Sequence, residues 1–511
     1  MKIMFDNDVL IDLFTNKINS AEQIQWIVDF AKKSKIPCFM YSGSTQLLYH
    51  GIADILYTDD QDESVALKKA AELLDKAKQT FLWWPALSED SDVFDSDLPE
   101  ENQLLRAFNR MGENALFVTR NENLLKREDN AVAPEEFLLV YEKQHLSRKI
   151  EFCDLSAQLD TFRPQMERAI LDVVNSTRYI KGPSVALLEN ELSEYLDNEV
   201  ETIACGSGTD ALLIAMMALY VRPGDQIIVP DFTFIATAEV ISLAGAEPVF
   251  CDVDSKTYNL DSSKIESLIT DRTVGIVAVS LFGQCADLDE INSIASKHGL
   301  WVIEDAAQSF GAVYKGKKSC TITKIATTSF FPAKPLGCYG DGGAIFTSDS
   351  NLADKMRIIL NHGQSKRYHH SVIGVNGRMD TIQAAVVSVK LKNFDHEIQL
   401  RRSVANRYSK LLKGTVEIPV ILDHNLSVWA QYTVQHDERE KLRQRLSDAG
   451  IPTAVHYPVP LHRQKAFSYL SDNKSTPVTE KVSERVFSLP MHPFLSEESI
   501  EYITAEIQKA L

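Results

Sequence analysis

The most regular pattern in the chain begins near Thr202, where short apolar runs alternate with segments whose apolar positions recur at helical spacing. Ile203-Ala-Cys205 leads through Gly206-Ser-Gly-Thr209 into the helical Asp210-Ala-Leu-Leu213. Further strands are predicted over 225–230, 246–254, 276–281, 300–305 and 326–331, and residues 231–238 open a helix. Upstream, helices are predicted over 163–175 and 183–197, joined by Ser176-Thr-Arg-Tyr-Ile-Lys-Gly-Pro183. The first 150 residues show a smaller alternation. Strands are expected within 2–12, 36–41 and 115–119, helices over 21–33 and 64–79, and an acidic loop over 90–102. Strand–helix alternation of this kind predicts a parallel sheet. The charged stretch 146–150 marks a boundary.

Length and charge sharpen that division. At 511 residues the chain exceeds one typical domain. Its 44% hydrophobic and 24% charged residues are ordinary for a globular protein. Residues 1–150 hold 26 Asp+Glu against 17 Lys+Arg, a net of −9, half of the chain's −18. This segment therefore reads as a unit of its own. The acidic balance argues against a nucleic-acid backbone as the main partner, since that contact needs clustered Lys and Arg. The seven Cys are scattered, with no CxxC pair, which predicts reduced thiols in a cytoplasmic protein rather than a disulfide frame or a zinc site. Acids occupy the N-terminus where a signal peptide would be apolar, and no apolar run reaches the length of a membrane span.

The candidate chemistry sits in the second unit. Ser329-Phe-Phe-Pro-Ala-Lys-Pro-Leu-Gly337 holds Lys334 in a turn stiffened by Pro332 and Pro335. Leu300-Trp-Val-Ile-Glu-Asp305 is an apolar strand ending in carboxylates, where α/β folds place ligand chemistry. The Gly206–Thr209 turn opens a helix, whose free N–H groups and dipole favour a phosphate. A confined lysine, an acid at a strand end and a phosphate turn together suggest pyridoxal phosphate (PLP) bound covalently to Lys334. Asp305 would pair the pyridine nitrogen, Gln308 would reach the ring hydroxyl and Ser329 would add a phosphate hydrogen bond. Phe232 or Phe234 would lie against the ring.

The chain from about 152 to 511 resembles the DegT/DnrJ/EryC1/StrS family of PLP-dependent nucleotide-sugar aminotransferases. The segments that carry the likeness are Gly206–Leu212, Glu304–Gly311, Ser329–Gly337, Gly340–Ala344, Gly374–Asp380 and Val455–Pro458. The resemblance implies an α/β, PLP-dependent aspartate aminotransferase fold (type I) with a small C-terminal α+β domain. It implies a PLP-binding domain over 149–395 and the small domain over 396–511. It makes Lys334 the cofactor-bearing lysine and Asp305 the partner of the ring nitrogen. Gln308 falls on the ring-hydroxyl contact, Gly208, Thr209 and Ser329 on the phosphate cup, and Phe234 on the stacking position. Asn376 would reach the phosphate from a second subunit, so a homodimer would share each site. Arg378, His456 and Tyr457 are implied for the sugar nucleotide, with the 366–370 loop behind them. Within the family, residues 280–287, 362–370, 430–434 and 488–493 are most similar to aminotransferases acting on UDP-2-acetamido-2-deoxy-3-oxo-glucuronic acid. This implies glutamate as amino donor and a 3-amino sugar for bacterial surface polysaccharide (O-antigen) as product. A 4-keto nucleotide sugar is the alternative substrate.

The first unit, 1–148, resembles a PIN domain, a small α/β nuclease fold, through Phe5–Leu10, Phe117–Asn121 and Ala133–Leu138. Metal-dependent hydrolysis needs several convergent carboxylates. Asp6 is present, but Gln46, Asn102 and Asn121 stand near the other acid positions. The expectation is a PIN-like α/β domain without a metal and without catalysis. A PIN-type ribonuclease using the large unit as scaffold is the rival from another class. A non-catalytic regulator would need a basic DNA-binding domain, and this acidic segment is not one.

Overall fold

The computed structural model describes residues 150–470 and 475–511, and before them residues 2–5, 9–11, 13, 24–25, 27–28, 38–41, 69–73, 82–84, 115–118 and 131–133. The chain divides into two compact units, Met1–Ser147 and Arg148–Leu511. In the first, β1 (Lys2–Phe5), β2 (Cys38–Tyr41), β3 (Leu82–Trp84), β4 (Ala115–Val118) and β5 (Ala131–Val132) form one sheet in the order β3-β2-β1-β4-β5. Every pairing in it is parallel, as the alternation of its sequence predicts. Asp6, Gln46, Asn102 and Asn121 lie outside the described residues.

The second unit is built on seven strands: β6 (Glu201–Cys205), β7 (Gln226–Pro230), β8 (Glu247–Cys251), β9 (Thr273–Val279), β10 (Trp301–Asp305), β11 (Ile325–Ser329) and β12 (Gly343–Thr347). Their order is β6-β12-β11-β10-β9-β7-β8. Six run one way and β12 runs against both its neighbours, β11 and β6. Both faces are covered, which is why the strands read as continuous apolar runs. On β9 the alternation is plain: Ile276 and Ala278 join one core, and Val277 between them joins the other. One face is covered by α3 (Gly208–Ala218), α4 (Ala236–Leu243) and α6 (Ser350–Ile359), through residues such as Ile214, Val240 and Met356. The opposite core takes Leu188 and Leu192 of α2 (Pro183–Tyr195), Ile291 of α5 (Leu288–Lys297) and Val386 of α7 (Thr381–Leu391).

Two local features differ from the sequence reading. α1 runs Leu155–Ser176, starting well before residue 163, because the Asp154 side chain caps it by accepting from the Ala157 N–H. Pro164 inside it coincides with a kink at Phe162 (φ −133°, ψ 25°). Residues 231–235 stay non-helical and α4 begins only at Ala236, so the Asp231–Ile235 loop projects from the end of β7.

The C-terminal part has a core of its own. The buried face of α8 (Phe394–Leu412) repeats at three- and four-residue intervals, Ile398, Arg401, Val404, Ala405, Tyr408 and Leu412. It packs with β13 (Tyr432–Gln435), the antiparallel β14 (Val486–Leu489) and α9 (Glu497–Ala510). Ile150, at the start of the second unit, is buried in the same core. His492 is buried beside it, and that burial pushes its imidazole down to about 4. The unfolded chain takes up this proton from about pH 6.5 downward, whereas the fold resists it until about pH 4. Stability is therefore present above pH 6.5 and is lost as pH falls, by about 2 kcal/mol at pH 5 from this one group. His492→Leu is expected to narrow the gap between urea midpoints at pH 7 and pH 5. An unchanged gap would show that His492 does not carry it.

Candidate active site

The C-terminal ends of the parallel strands converge on one cavity of about 520 Å³. β6 ends in the Cys205–Ser207 turn, and the Ser207 hydroxyl caps α3 by accepting from the Asp210 N–H at 3.0 Å. This leaves the Gly208 and Thr209 N–H groups at the helix start without intrahelical acceptors. Gly208 is required by a close approach: a Cβ there would lie 2.8 Å from the Ser329 Cβ, at the end of β11. The Ser329 hydroxyl oxygen accepts from the Phe331 N–H at 3.3 Å, so its own proton remains available for donation. Gly208, Thr209 and Ser329 thus form a small cup of donors on one wall.

Asp305 closes β10 at the base of the cavity and is buried. One carboxylate oxygen accepts from the Thr237 hydroxyl at 2.8 Å and the other from the Ala307 N–H at 3.1 Å. Burial pushes this acid upward; the two hydrogen bonds and the nearby Lys334 pull it back. Lys334 follows a tight turn in which its N–H donates to the Phe331 carbonyl at 2.8 Å. Burial pushes its ammonium below the ordinary lysine value, against the pull of Asp305. An acid whose burial is partly offset and an amine whose proton affinity is lowered thus face the same space.

Gln308, three residues past Asp305, is fixed at both ends. Its Oε1 accepts from the Phe282 N–H at 2.7 Å, and its Nε2 donates to the Tyr457 hydroxyl at 3.2 Å, leaving one N–H for a ligand. Burial keeps the Tyr457 phenol protonated well past its usual range. The His456 ring accepts or donates at Nδ1 with the Ser488 hydroxyl at 3.0 Å, and burial with the nearby Lys334 charge lowers it to about 4. At neutral pH it is an uncharged imidazole. Phe234 lines the cavity at 55% exposure, while Phe232 is buried among Tyr258, Phe282 and Tyr457.

Of the residues singled out from the sequence, the structure gathers Gly208, Thr209, Phe234, Asp305, Gln308, Ser329, Lys334, His456 and Tyr457 on one cavity. It does not bring Asn376 or Arg378 to that wall. Asn376 is exposed and bridges to Asn361, and Arg378 donates to the Asn361 Oδ1 at 3.2 Å. Their segment runs beside the Gly206–Thr209 turn, where the Gly206 N–H donates to the Gly377 carbonyl at 2.8 Å. Thr237, through its bond to Asp305, and Gln431, on the cavity wall, also belong to the site; neither has a role in the sequence reading, although Gln431 lies in its 430–434 segment. Thr237 sits three residues after Phe234, a spacing that a helix start could have signalled. Gln431 comes from the distant C-terminal part, which no local pattern connects to the strand ends.

Among the described residues, no group of three or more His, Cys, Asp or Glu could hold a metal ion, and no helix is long and apolar enough to cross a membrane.

Comparison with known proteins places this geometry. A profile of the DegT/DnrJ/EryC1/StrS aminotransferase family matches residues 161–508. The UDP-2-acetamido-2-deoxy-3-oxo-D-glucuronate aminotransferase of Pseudomonas aeruginosa is 52% identical over 70% of this chain and 99% of its own length. The UDP-N-acetyl-3-dehydro-alpha-D-glucosamine 3-aminotransferase of Acidithiobacillus ferrooxidans is 39% identical over 71% and 98%. Among solved structures, a DegT/DnrJ/EryC1/StrS aminotransferase from Brucella abortus superposes with a TM-score of 0.69 at 43% identity, covering 70% of this chain and 98% of its own. NtdA of Bacillus subtilis, solved with bound pyridoxamine phosphate (PMP), gives 0.67 at 28% identity, over 80% and 96%.

Proposed function

The chain belongs to the DegT/DnrJ/EryC1/StrS aminotransferase family, and from that premise we propose that it transfers an amino group from glutamate to C3 of UDP-2-acetamido-2-deoxy-3-oxo-glucuronate. The product would be a 3-amino sugar for bacterial surface polysaccharide. One observation carries the reading: Lys334, Asp305 and the donor cup of Gly208, Thr209 and Ser329 face a single cavity. A cup of uncommitted donors, an acid and a confined lysine fit the phosphate, the ring nitrogen and the aldehyde carbon of PLP. That cofactor, when bound, supplies the electron sink on which transamination depends.

The chain's own groups supply the rest. The α3 N-terminus and the Ser329 hydroxyl would hold the phosphate. Phe234 offers a flat face for the ring, and the free N–H of Gln308 a donor beside it. Asp305, whose charged form Thr237 and Ala307 favour against burial, would hold a proton on the ring nitrogen. Lys334 Nζ, its proton affinity lowered by burial, would take and return the proton at the substrate carbon. His456 and Tyr457, both uncharged, would orient the sugar nucleotide. Asn376, exposed and away from its own chain's cavity, would reach the phosphate of a second copy in a homodimer, and Arg378 is kept as a sugar-nucleotide contact. The six described cysteines are free thiols, in keeping with a cytoplasmic enzyme. For residues 1–148 the reading is a non-catalytic PIN-like domain, and the β3-β2-β1-β4-β5 parallel sheet speaks for its α/β class alone.

The test is a two-stage reaction followed by cofactor absorbance. Glutamate should convert the PLP-loaded protein to its aminated form, and the 3-keto uronate should restore the starting spectrum. Restoration by a 4-keto nucleotide sugar alone would overturn the substrate assignment. A narrower prediction concerns Thr237. Thr237→Val removes one of the two hydrogen bonds that offset the burial of Asp305, so the acid moves further up. Turnover should fall about tenfold, with Thr237→Ser restoring most of it. Equal turnover in the Val variant would show that the Thr237 hydroxyl does not support Asp305.

A further inference from the structure

We propose that Gln431 reads the group next to the reacting ketone and selects an acylamino substituent there. The inference rests on the reading above and adds the residue that recognises this part of the substrate. Gln431 immediately precedes β13, whose first residue, Tyr432, is buried in the C-terminal core with its hydroxyl on Ser409 at 2.9 Å. Successive side chains of an extended segment point to opposite sides, and Gln431 accordingly lines the cavity with Lys334, His456 and Tyr457.

The polar groups around it are largely committed. Gln308 is bonded at both ends, Tyr457 accepts from it, His456 is paired with Ser488, and Asp305 is held by Thr237 and Ala307. Gln431 differs. Its Oε1 is buried and has no hydrogen-bond partner among the described residues. Buried acceptors are satisfied in nearly all folded proteins, and one without a partner on a residue that lines the cavity calls for a ligand donor. The residue is also well placed to discriminate, because its backbone N–H donates to the Phe282 carbonyl at 3.4 Å and Phe282 is itself held by Gln308. With its backbone anchored in this way, the residue starts from a fixed point on the wall when its side chain binds.

A carboxamide offers one acceptor and a pair of donors. The group that answers both is a second amide. The proposed substrate carries one, an acetamido group on the carbon beside its ketone. A hydroxyl at that carbon could meet Gln431 with only one bond at a time, and a charged group would meet a neutral side chain.

The inference is tested by calorimetry on the PLP-loaded full chain, using the 3-amino UDP-uronate product and its analogue with a 2-hydroxyl in place of the 2-acetamido group. The parent should prefer the acetamido ligand by roughly tenfold, and Gln431→Met, close in volume but without the amide, should reduce that preference to about twofold. Gln431→Ala serves if the Met variant fails to load PLP. A variant that keeps the full preference, or one that loses affinity for both ligands equally, overturns the assignment to Gln431 while leaving the substrate reading intact. A parent that binds neither uronate overturns both.

Discussion

Lys334→Ala should load PLP without the absorbance of the lysine-bound form and should lose turnover by at least about 10³-fold. Two separate losses are expected. The first is the covalent link, which no neighbour can replace, because among the described residues that line the cavity Lys334 is the single lysine. The second is the proton carrier. Burial lowers the affinity of Lys334 for its proton, and this makes the amine a readier proton carrier than an exposed lysine. The nearest alternatives are poorly suited. His456 titrates at about 4 and is too weak a base, and the Tyr457 phenol is held protonated. The phosphate contacts proposed for Gly208, Thr209 and Ser329 would be untouched by the substitution, so cofactor should still be retained through them. Spectra of the purified variant separate the first loss from the second, and added small amines should return part of the activity by supplying the missing proton carrier. A variant with more than about a tenth of the parent turnover would contradict the role, since general acid–base catalysis alone contributes roughly 10²–10⁴-fold.

How much of this was readable beforehand depends on how local each signal is. Lys334, Asp305 and Gly208 sit at strand ends flanked by Pro, Gly or an apolar run, and such positions can be read from a few neighbouring residues. Phe234 could be separated from Phe232 only by resemblance, because both are aromatic residues in one loop. The structure separates them by burial: Phe232 is 1% exposed and Phe234 55%. The antiparallel strand Gly343–Thr347 was not anticipated, since its apolar composition is that of a parallel core strand and only its pairing with β6 and β11 sets its direction. The early start of α1 was missed because Pro164 looks like a helix start, and the Asp154 cap lies ten residues before it. Thr237 and Gln431 act through contacts with residues 68 positions or more away in the chain or through a shared cavity. Periodicity carries no information about such contacts.

Asp305→Asn should be nearly as damaging as loss of the lysine, by about 10²–10³-fold in turnover, while PLP stays bound. The substitution is close to isosteric. An asparagine oxygen can still accept from the Thr237 hydroxyl, so the fold around the base of the cavity should survive. What disappears is the charge. A buried carboxylate next to a ring nitrogen raises the affinity of that nitrogen for a proton, and a neutral amide does not. The cost of keeping this anion is visible in the protein itself: burial drives the acid upward, and the Thr237 hydroxyl, the Ala307 N–H and Lys334 all act to restore it. Three groups arranged to keep one carboxylate ionised make little sense if its role is packing, because an amide or a leucine would be easier to bury. The variant's cofactor spectrum should therefore titrate at lower pH than the parent's, with glutamate conversion slowed in proportion. Asp305→Glu, which keeps the charge at the wrong length, should fall between the two. Parent-like turnover in the Asn variant, or a spectrum that does not shift with pH relative to the parent, would remove Asp305 from the chemistry and leave it a structural acid.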